Sequence, residues 1–111
     1  MKQVQDAYIV AATRTPIGKS GRGVFRNTRP DDLLVAAIRG ALAQVPTLDP
    51  TAIEDAIIGC AMPEGEQGLN MARIGALLAG LPNSVGGVTV NRFCASGPVS
   101  YTHLRAHETK A

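Results

Sequence analysis

The chain has 111 residues, of which 45% are hydrophobic and 18% are charged, a composition that suits a packed core and argues against disorder. Eleven basic and nine acidic residues leave a net charge of +2, and aromatic residues make up only 4%. A nucleic-acid-binding protein would have a larger basic patch with aromatic side chains between the charges, so no nucleic-acid partner is expected. The length allows one domain at most.

The cysteines and the apolar stretches indicate where the protein works. Cys60 and Cys94 have 33 residues between them, which fits neither a disulfide framework nor a zinc site and is typical of a reducing compartment. Residues 1–6 lack the apolar stretch of a secretory signal. The uncharged stretch 74–91 contains Pro82 and several glycines, so we do not expect it to span a membrane. We predict a soluble, cytoplasmic protein without a membrane partner.

The first predicted element is a strand over residues 7–12. This short apolar run contains Ile9 and Val10, a pattern that favours a strand buried on both faces. Residues 14–29 follow without hydrophobic periodicity and form a predicted long loop. Loops of this length in compact domains are usually functional or docked against another part of the protein.

The second predicted element is a helix that begins near Pro30. Thr28 is its expected cap, and Asp31 and Asp32 complement the positive end of the helix dipole. Pro46 ends it. The apolar stripe expected to face the core is Leu34, Ile38, Ala41 and Leu42.

The remaining elements alternate between strand and helix. Asp49 and Pro50 predict a short helical turn, after which residues 56–60 read as a second buried strand. Asn70 is the expected cap of a second helix that ends at Gly80, and residues 87–91 form a third strand. Such alternation predicts an α/β fold with parallel strands and crossover helices. The stripe expected on the second helix is Met71, Ile74, Leu77 and Leu78.

Cys94 is the residue with the clearest chemical potential. It follows the third predicted strand at the sheet edge where parallel sheets bind ligands, and small residues after it can open a helix. There the helix dipole and free backbone amides stabilise a thiolate and can hold the oxygen of a tetrahedral intermediate. From position alone, two interpretations stay open: a nucleophile for acyl transfer, or a small buried hydrophobic residue. Cys60 is better explained by structural burial.

Two other motifs fail on inspection. Gly18-Lys19-Ser20 resembles the end of a phosphate-binding loop, but Thr13 stands where the motif requires glycine. His103 and His107 have the spacing of zinc ligands on a helix, but the glutamate required beside them is missing in both known orders. We therefore predict no metal site and no bound cofactor.

Three segments between residue 7 and residue 97 carry a resemblance to a known family. They are Arg14-Thr15-Pro16-Ile17-Gly18-Lys19, Gly68-Leu69-Asn70-Met71-Ala72-Arg73 and Val90-Asn91-Arg92-Phe93-Cys94-Ala95-Ser96-Gly97. In this order and spacing they resemble the thiolase family. The most specific is the third, because it surrounds the cysteine that thiolases acylate. Residues 24–27 resemble the degradative 3-ketoacyl-CoA branch.

The resemblance implies a function for the intact protein. It would be an acetyl-CoA C-acyltransferase of fatty acid beta-oxidation that cleaves 3-ketoacyl-CoA to acetyl-CoA and a shortened acyl-CoA through a Cys94 thioester. The Cys94 backbone amide would contribute to the oxyanion hole, coenzyme A and acyl-CoA would be substrates, and the assembly would be a homodimer or tetramer. The family's histidine, second cysteine and asparagine-bearing motif have no counterpart here. The alternatives are a biosynthetic thiolase that forms acetoacetyl-CoA and a non-catalytic α/β interaction module.

The resemblance also predicts a division of the chain. Residues 1–97 would be part of a thiolase amino-terminal domain, the incomplete first half of the family's duplicated α/β fold. Residues 98–111 lack the small and apolar helix that continues the family pattern, and they resemble a peptide produced when sequencing-adapter DNA is translated. We predict that this tail is non-homologous and an assembly artefact. Alone, the chain would be inactive and would be unstable or aggregate, because an unpaired sheet edge and apolar helix faces stay uncovered.

Overall fold

The computed structural model describes the backbone of residues 6–107 and the side chains of residues 6–102. The helices and strands occupy the part of the chain that follows the long predicted loop. Three short 3-10 turns separate them, at Pro50–Ala52, Gly65–Gln67 and Phe93–Ala95. The elements in chain order are α1 (Pro30–Ala43), β1 (Asp55–Gly59), α2 (Met71–Leu78), β2 (Gly86–Val90) and α3 (Ser96–His107).

The two strands form a parallel sheet that α2 connects. The register runs from Asp55 opposite Gly86 to Gly59 opposite Val90, and each strand lies one residue earlier than the sequence predicts. The predicted fold class, an α/β arrangement of parallel strands joined by crossover helices, is confirmed by this β1–α2–β2 unit.

The first predicted strand is wrong. Residues 7–12 form no strand, and Tyr8, Ile9 and Val10 are each more than 70% exposed rather than buried. The reason is the requirement of a strand for a neighbour, which an apolar run alone does not supply. At one residue of this segment, the side chain of Gln44 just beyond α1 supplies the hydrogen bonds that a neighbouring strand would make. Its Oε1 accepts the Ala12 N–H at 3.0 Å and its Nε2 donates to the Ala12 oxygen at 2.8 Å.

The helix α1 begins at Pro30 as predicted, but Thr28 is not its cap. The N-cap position is Arg29, which is extended and makes no side-chain capping bond. Proline disfavours helical backbone in the residue before it, so the helix begins directly at Pro30. The acidic first turn instead satisfies its own backbone, since Asp31 Oδ1 accepts the Asp32 N–H at 3.0 Å.

The helix α2 begins after Asn70 as predicted, but its predicted core stripe is wrong at three of four positions. Met71 is buried, whereas the other three residues of the predicted stripe, which follow it along the helix, are exposed. The buried face consists of small residues because α1 approaches α2 closely: a Cβ at Gly75 would lie 2.5 Å from Leu34 Cδ2. The exposed residues are Ile74, Leu77 and Leu78, and the buried small ones are Ala72, Gly75 and Ala76.

The core lies between α1, α2 and the sheet. Val85 is the largest fully buried side chain, and it packs with Ala76 and Leu81. A core of so few and such small side chains provides limited hydrophobic stabilisation. The half-buried side chains around it are Ile38, Leu42, Ile53 and Ala56.

Hydrogen bonds fix the N-terminal turn of α2 on β2. Asn70 Oδ1 accepts the N–H of Arg73 at 3.4 Å and the hydroxyl of Thr89 at 2.7 Å, and its Nδ2 donates to the Gly87 oxygen at 2.8 Å. The Thr89 hydroxyl oxygen in turn accepts the Ala72 N–H. Gly87 permits this approach, because a Cβ there would lie 2.7 Å from the Arg73 nitrogen.

Candidate active site

Cys94 lies in a tight turn between β2 and α3. The strand ends at Val90, the 3-10 turn Phe93–Ala95 follows, and α3 begins at Ser96. Cys94 is exposed and belongs to no disulfide, so its thiol is accessible from solvent. The prediction that this cysteine stands between a strand and a helix is confirmed. The alternative of a small buried hydrophobic residue is wrong for the described chain.

The backbone of this turn is strained at the residue before the cysteine. Phe93 has a φ of +52°, in the left-handed region that residues other than glycine and asparagine rarely adopt, and its side chain is 75% exposed. The Asn91 side chain supports the conformation, because its Oδ1 accepts the Phe93 N–H at 2.9 Å. This bond is an Asx turn, which replaces a backbone partner at the end of the strand.

Ser96 holds the other side of the turn. It is only 5% exposed, and its hydroxyl oxygen accepts the Arg92 N–H at 2.9 Å. Since that oxygen is already an acceptor, the hydroxyl hydrogen is available to donate to the Phe93 oxygen, which lies 2.8 Å away. One buried side chain therefore bridges the two residues that precede Cys94.

Gly59, the last residue of β1, lets the start of α3 lie directly on the sheet. A Cβ at this position would lie 2.4 Å from the Ser96 carbonyl oxygen and 2.7 Å from the Gly97 nitrogen, too close for any side chain. Glycine in a strand often marks such a close approach of backbone. The position of α3, and with it the turn that carries Cys94, depends on this contact.

Cys60 lies at the end of the neighbouring strand but is buried, as predicted. Its N–H donates to the Val90 oxygen at 2.8 Å, which continues the ladder one residue beyond β1. The two cysteines thus follow adjacent parallel strands, and only Cys94 is exposed. The structure agrees with a structural role for Cys60.

The loop after β1 is fastened to the start of α1. Gln67 Nε2 donates to the Met62 oxygen at 2.8 Å and closes the loop, while Arg29 contacts Glu66 at 3.2 Å. Arg29 also pairs with buried Asp31 through two nitrogens, each 3.0 Å from a carboxylate oxygen. The Arg29 hydrogen bond, with the charge of the guanidinium, lowers the pKa of Asp31 despite the opposing effect of desolvation.

The long loop after residues 7–12 closes on itself. The N–H of Gly23 donates to the Lys19 oxygen at 2.7 Å, and Gly21 has a φ of +80°. Lys19 therefore precedes a turn and Ser20 lies in it, whereas a phosphate-binding loop requires a helix at this point, in agreement with rejection of that motif. The side chains of His103 and His107 lie outside the described residues. Within residues 6–102 no group of three or more potential metal ligands occurs.

An accessible cysteine just before a helix is suited to nucleophilic chemistry. The positive end of the α3 dipole begins two residues after Cys94, where it favours negative charge. The family profile described as "Thiolase, N-terminal domain" matches residues 7–105 of this chain. The chain belongs to the thiolase family. The resemblance stated from the three sequence segments is thereby confirmed.

Curated relatives support the family at the level of sequence. The 3-ketoacyl-CoA thiolases of Idiomarina loihiensis and Shewanella oneidensis are each 50% identical to this thiolase chain over 93 residues. These residues make up 84% of the chain and 24% of each relative. The chain spans about a quarter of the length of the curated relatives it matches.

Solved structures agree with the fold. An acetyl-CoA acetyltransferase from Syntrophomonas wolfei superposes with a TM-score of 0.82 at 28% identity, over 94% of this thiolase chain and 26% of that one. A thiolase from Ascaris suum in complex with coenzyme A gives the same TM-score at 30% identity, over 92% and 26% of the two chains. The family match extends past Gly97 into α3, and the division of the chain after that residue stays a prediction.

Sequence reasoning found Cys94 but assigned no role to the residues that hold its turn. An asparagine directly after a predicted strand is a signal for an Asx turn, so Asn91 was detectable. Gly59 at the end of an apolar strand was a second signal, for close backbone approach. The two bonds of Ser96 had no such signal, because they depend on how the turn closes in three dimensions.

In the part of the chain that the structure describes, no helix is long and apolar enough to span a membrane.

Proposed function

We propose that this chain belongs to a degradative thiolase in which Cys94 is the nucleophile. The observation that carries the proposal is the exposed cysteine in the turn between β2 and α3 of a chain that belongs to the thiolase family. Relatives named 3-ketoacyl-CoA thiolase, at 50% identity, favour 3-ketoacyl-CoA as the substrate. The Ascaris suum structure in complex with coenzyme A supports coenzyme A as the acyl acceptor.

The proposed reaction has two steps. The Cys94 thiolate adds to the C3 keto carbon of the substrate, and the C2–C3 bond breaks with its electron pair on C2. A general acid elsewhere in the protein protonates C2, acetyl-CoA leaves, and the remaining acyl group is a thioester on Sγ. A base then removes the thiol proton of free coenzyme A, whose sulfur attacks the thioester carbonyl and releases the shortened acyl-CoA with the Cys94 thiolate.

This chain would contribute the nucleophile and part of the oxyanion hole. The Cys94 backbone amide lies in the turn that opens α3, where amide dipoles act on the developing oxyanion. The acid, the base and the coenzyme A grip would come from other parts of the protein. Coenzyme A and acyl-CoA act as substrates in this scheme, which includes no resident cofactor or metal.

The cellular setting is part of the same proposal. The enzyme would act in the cytoplasm in fatty acid beta-oxidation, as a homodimer or tetramer. The exposed apolar side chains of α2 agree with further protein covering this helix. The biosynthetic direction is the second candidate, because the Syntrophomonas wolfei neighbour is named an acetyl-CoA acetyltransferase.

The proposal is tested in a chimera in which residues 7–97 replace the aligned segment of the Idiomarina loihiensis thiolase. After incubation with a 3-ketoacyl-CoA in the absence of free coenzyme A, we expect peptide mapping by mass spectrometry to find the acyl group on Cys94. Buried Cys60 is the internal control and should stay unmodified. Faster turnover of medium-chain or long-chain substrates than of acetoacetyl-CoA would favour the degradative reaction over the biosynthetic one.

Two outcomes would contradict the proposal. A folded chimera that gives no acyl adduct would favour a non-catalytic α/β module. An adduct and turnover that persist in Cys94→Ala would show that another residue is the nucleophile.

A further inference from the structure

We propose that Ser96 is a positioning residue for the thiolase reaction, and that its hydroxyl fixes the direction of the Cys94 thiol. This inference rests on the proposed function of Cys94. The bonds of Ser96 do not reach the cysteine side chain; they fix the two preceding residues. Ser96 therefore acts through the backbone.

The first argument is the geometry of the turn. Phe93 is held at a φ of +52°, a conformation with an energetic cost that surrounding interactions must offset. The Ser96 hydroxyl accepts the Arg92 N–H and donates to the Phe93 oxygen. These are the first and the last backbone groups of the dipeptide Arg92-Phe93, so one side chain fixes both of its ends. Without the hydroxyl, both backbone groups would lose a partner in a partly buried place, and Phe93 could rotate to a relaxed conformation.

The second argument is independent and concerns the sheet. The Ser96 backbone lies so close to Gly59 that no Cβ fits between them. Ser96 is thus fixed on the last residue of β1 while its side chain holds the turn. A shift of Ser96 caused by a side chain at position 59 would be transmitted to Cys94 through the same hydroxyl.

The consequence for catalysis is orientation rather than substrate affinity. Attack on a keto carbon requires the sulfur to lie in line with the acceptor orbital, and displacement of about 1 Å can lower the rate a hundredfold. Loss of the hydroxyl should therefore lower kcat while KM changes little, because the groups that bind coenzyme A are not touched. Ser96→Thr retains the hydroxyl and should restore most of kcat.

The experiment compares three variants of the chimera by steady-state kinetics. We expect Ser96→Ala to lower kcat about tenfold or more, with KM within about twofold of the unsubstituted chimera. Ser96→Thr should recover kcat to within about threefold, since it can make both bonds. The matched control is Ser84→Ala, which removes an exposed hydroxyl from the turn before β2, within the transplanted residues 7–97, and should leave kcat within about twofold.

The glycine contact is tested in parallel. Gly59→Ala should lower kcat as Ser96→Ala does, whereas Gly86→Ala on the paired strand meets the side chain of Asp55 and should not. If Gly59→Ala fails to fold, the Ser96 series decides the question, because it alters no backbone packing. Thermal melting of each variant separates folding defects from misplacement.

Each outcome has a defined meaning. Unchanged kcat in Ser96→Ala, or equal loss in Ser96→Ala and Ser96→Thr with folding intact, would overturn the positioning role. An equal effect of Ser84→Ala would overturn it too, since it would show that the loss of a hydroxyl far from the turn lowers kcat as much. Absence of an acyl adduct on Cys94 in the unsubstituted chimera would instead refute the proposed function, so the two failures are distinguishable.

Discussion

Asp31 is a single residue whose ionisation couples the start of α1 to the stability of the fold. It is buried and hydrogen-bonded to Arg29, and this partner lowers its pKa below the ordinary value of 3.8. The folded state therefore binds fewer protons than the unfolded state in the acid range. It follows that the contribution is fully present above about pH 4 and is lost as pH falls through the lowered pKa.

We predict that Asp31→Asn destabilises the chimera more at pH 7 than at pH 2.5. Urea unfolding midpoints at both values measure the difference between the variant and the unsubstituted protein, and this difference should be smaller in acid. Arg29→Met removes the other partner of the same pair and should reproduce the pattern. A loss of equal size at both pH values would show that Asp31 acts by packing rather than by charge.

At the next scale, α2 is fixed to β2 through its first turn. Asn70 serves three groups, two on the helix or strand backbone and the Thr89 hydroxyl. Such a residue acts as helix cap and tertiary contact together. Its loss should separate the start of the helix from the sheet.

We predict that Asn70→Ala lowers the free energy of unfolding by about 1–3 kcal/mol, because a cap and the tertiary hydrogen bond to Gly87 disappear together. Asn70→Ser is the matched variant, since serine can cap the helix but is too short to replace the amide donor to Gly87. Asn70→Ser should therefore lower the free energy of unfolding by less than Asn70→Ala does. Thermal melting of the chimera measures both, and equal losses would mean that capping contributes nothing beyond the Gly87 bond.

Among the elements, the beginnings of the helices could be predicted from the sequence, whereas the lack of a strand partner for residues 7–12 and the buried face of α2 could not. The beginnings of α1 and α2 were predictable because Pro30 and Asn70 are local signals. The absence of a strand over residues 7–12 was not predictable, because strand formation depends on a neighbouring strand that the local sequence does not identify. The buried face of α2 was misjudged because Gly75 lets α1 approach more closely than the larger apolar residues would allow.

The candidate site also contains one residue that the sequence predicts and one that it does not. Cys94 was predictable, since a cysteine after a strand and before small residues is a sequence pattern, and the thiolase resemblance pointed to the same residue. Ser96 was not, because its two bonds join residues three and four positions away through a turn that includes a left-handed residue. No periodicity or propensity predicts that conformation for phenylalanine.

The whole molecule exposes much apolar surface. Tyr8, Ile9 and Val10 are exposed on one segment, and the large side chains of α2 are exposed on another. The segment with Ile9 also borders an open apolar cavity of about 440 Å³ beside the end of α1. Surfaces of this kind favour association.

We predict that the 111-residue chain, expressed alone, associates or melts without a cooperative transition and shows no thiolase turnover. Size-exclusion chromatography with light scattering, differential scanning calorimetry and a 3-ketoacyl-CoA cleavage assay measure the three properties. Ile9→Lys together with Leu77→Lys should reduce association if these surfaces cause it. A monomer with a sharp melting transition and measurable turnover would disprove the prediction.

The hydrogen bonds between Gln44 and Ala12 should make the amide hydrogens of the first apolar segment, residues 7–12, exchange with solvent at different rates. The Ala12 N–H donates to the Gln44 side-chain oxygen, so its hydrogen should exchange with deuterium more slowly than the amide hydrogens of the exposed residues Tyr8, Ile9 and Val10. One glutamine thus limits how far the extended segment can open from α1. The segment is thus attached beside α1 at its carboxyl end, and the exposed residues Tyr8, Ile9 and Val10 before this point are where a further strand could pair.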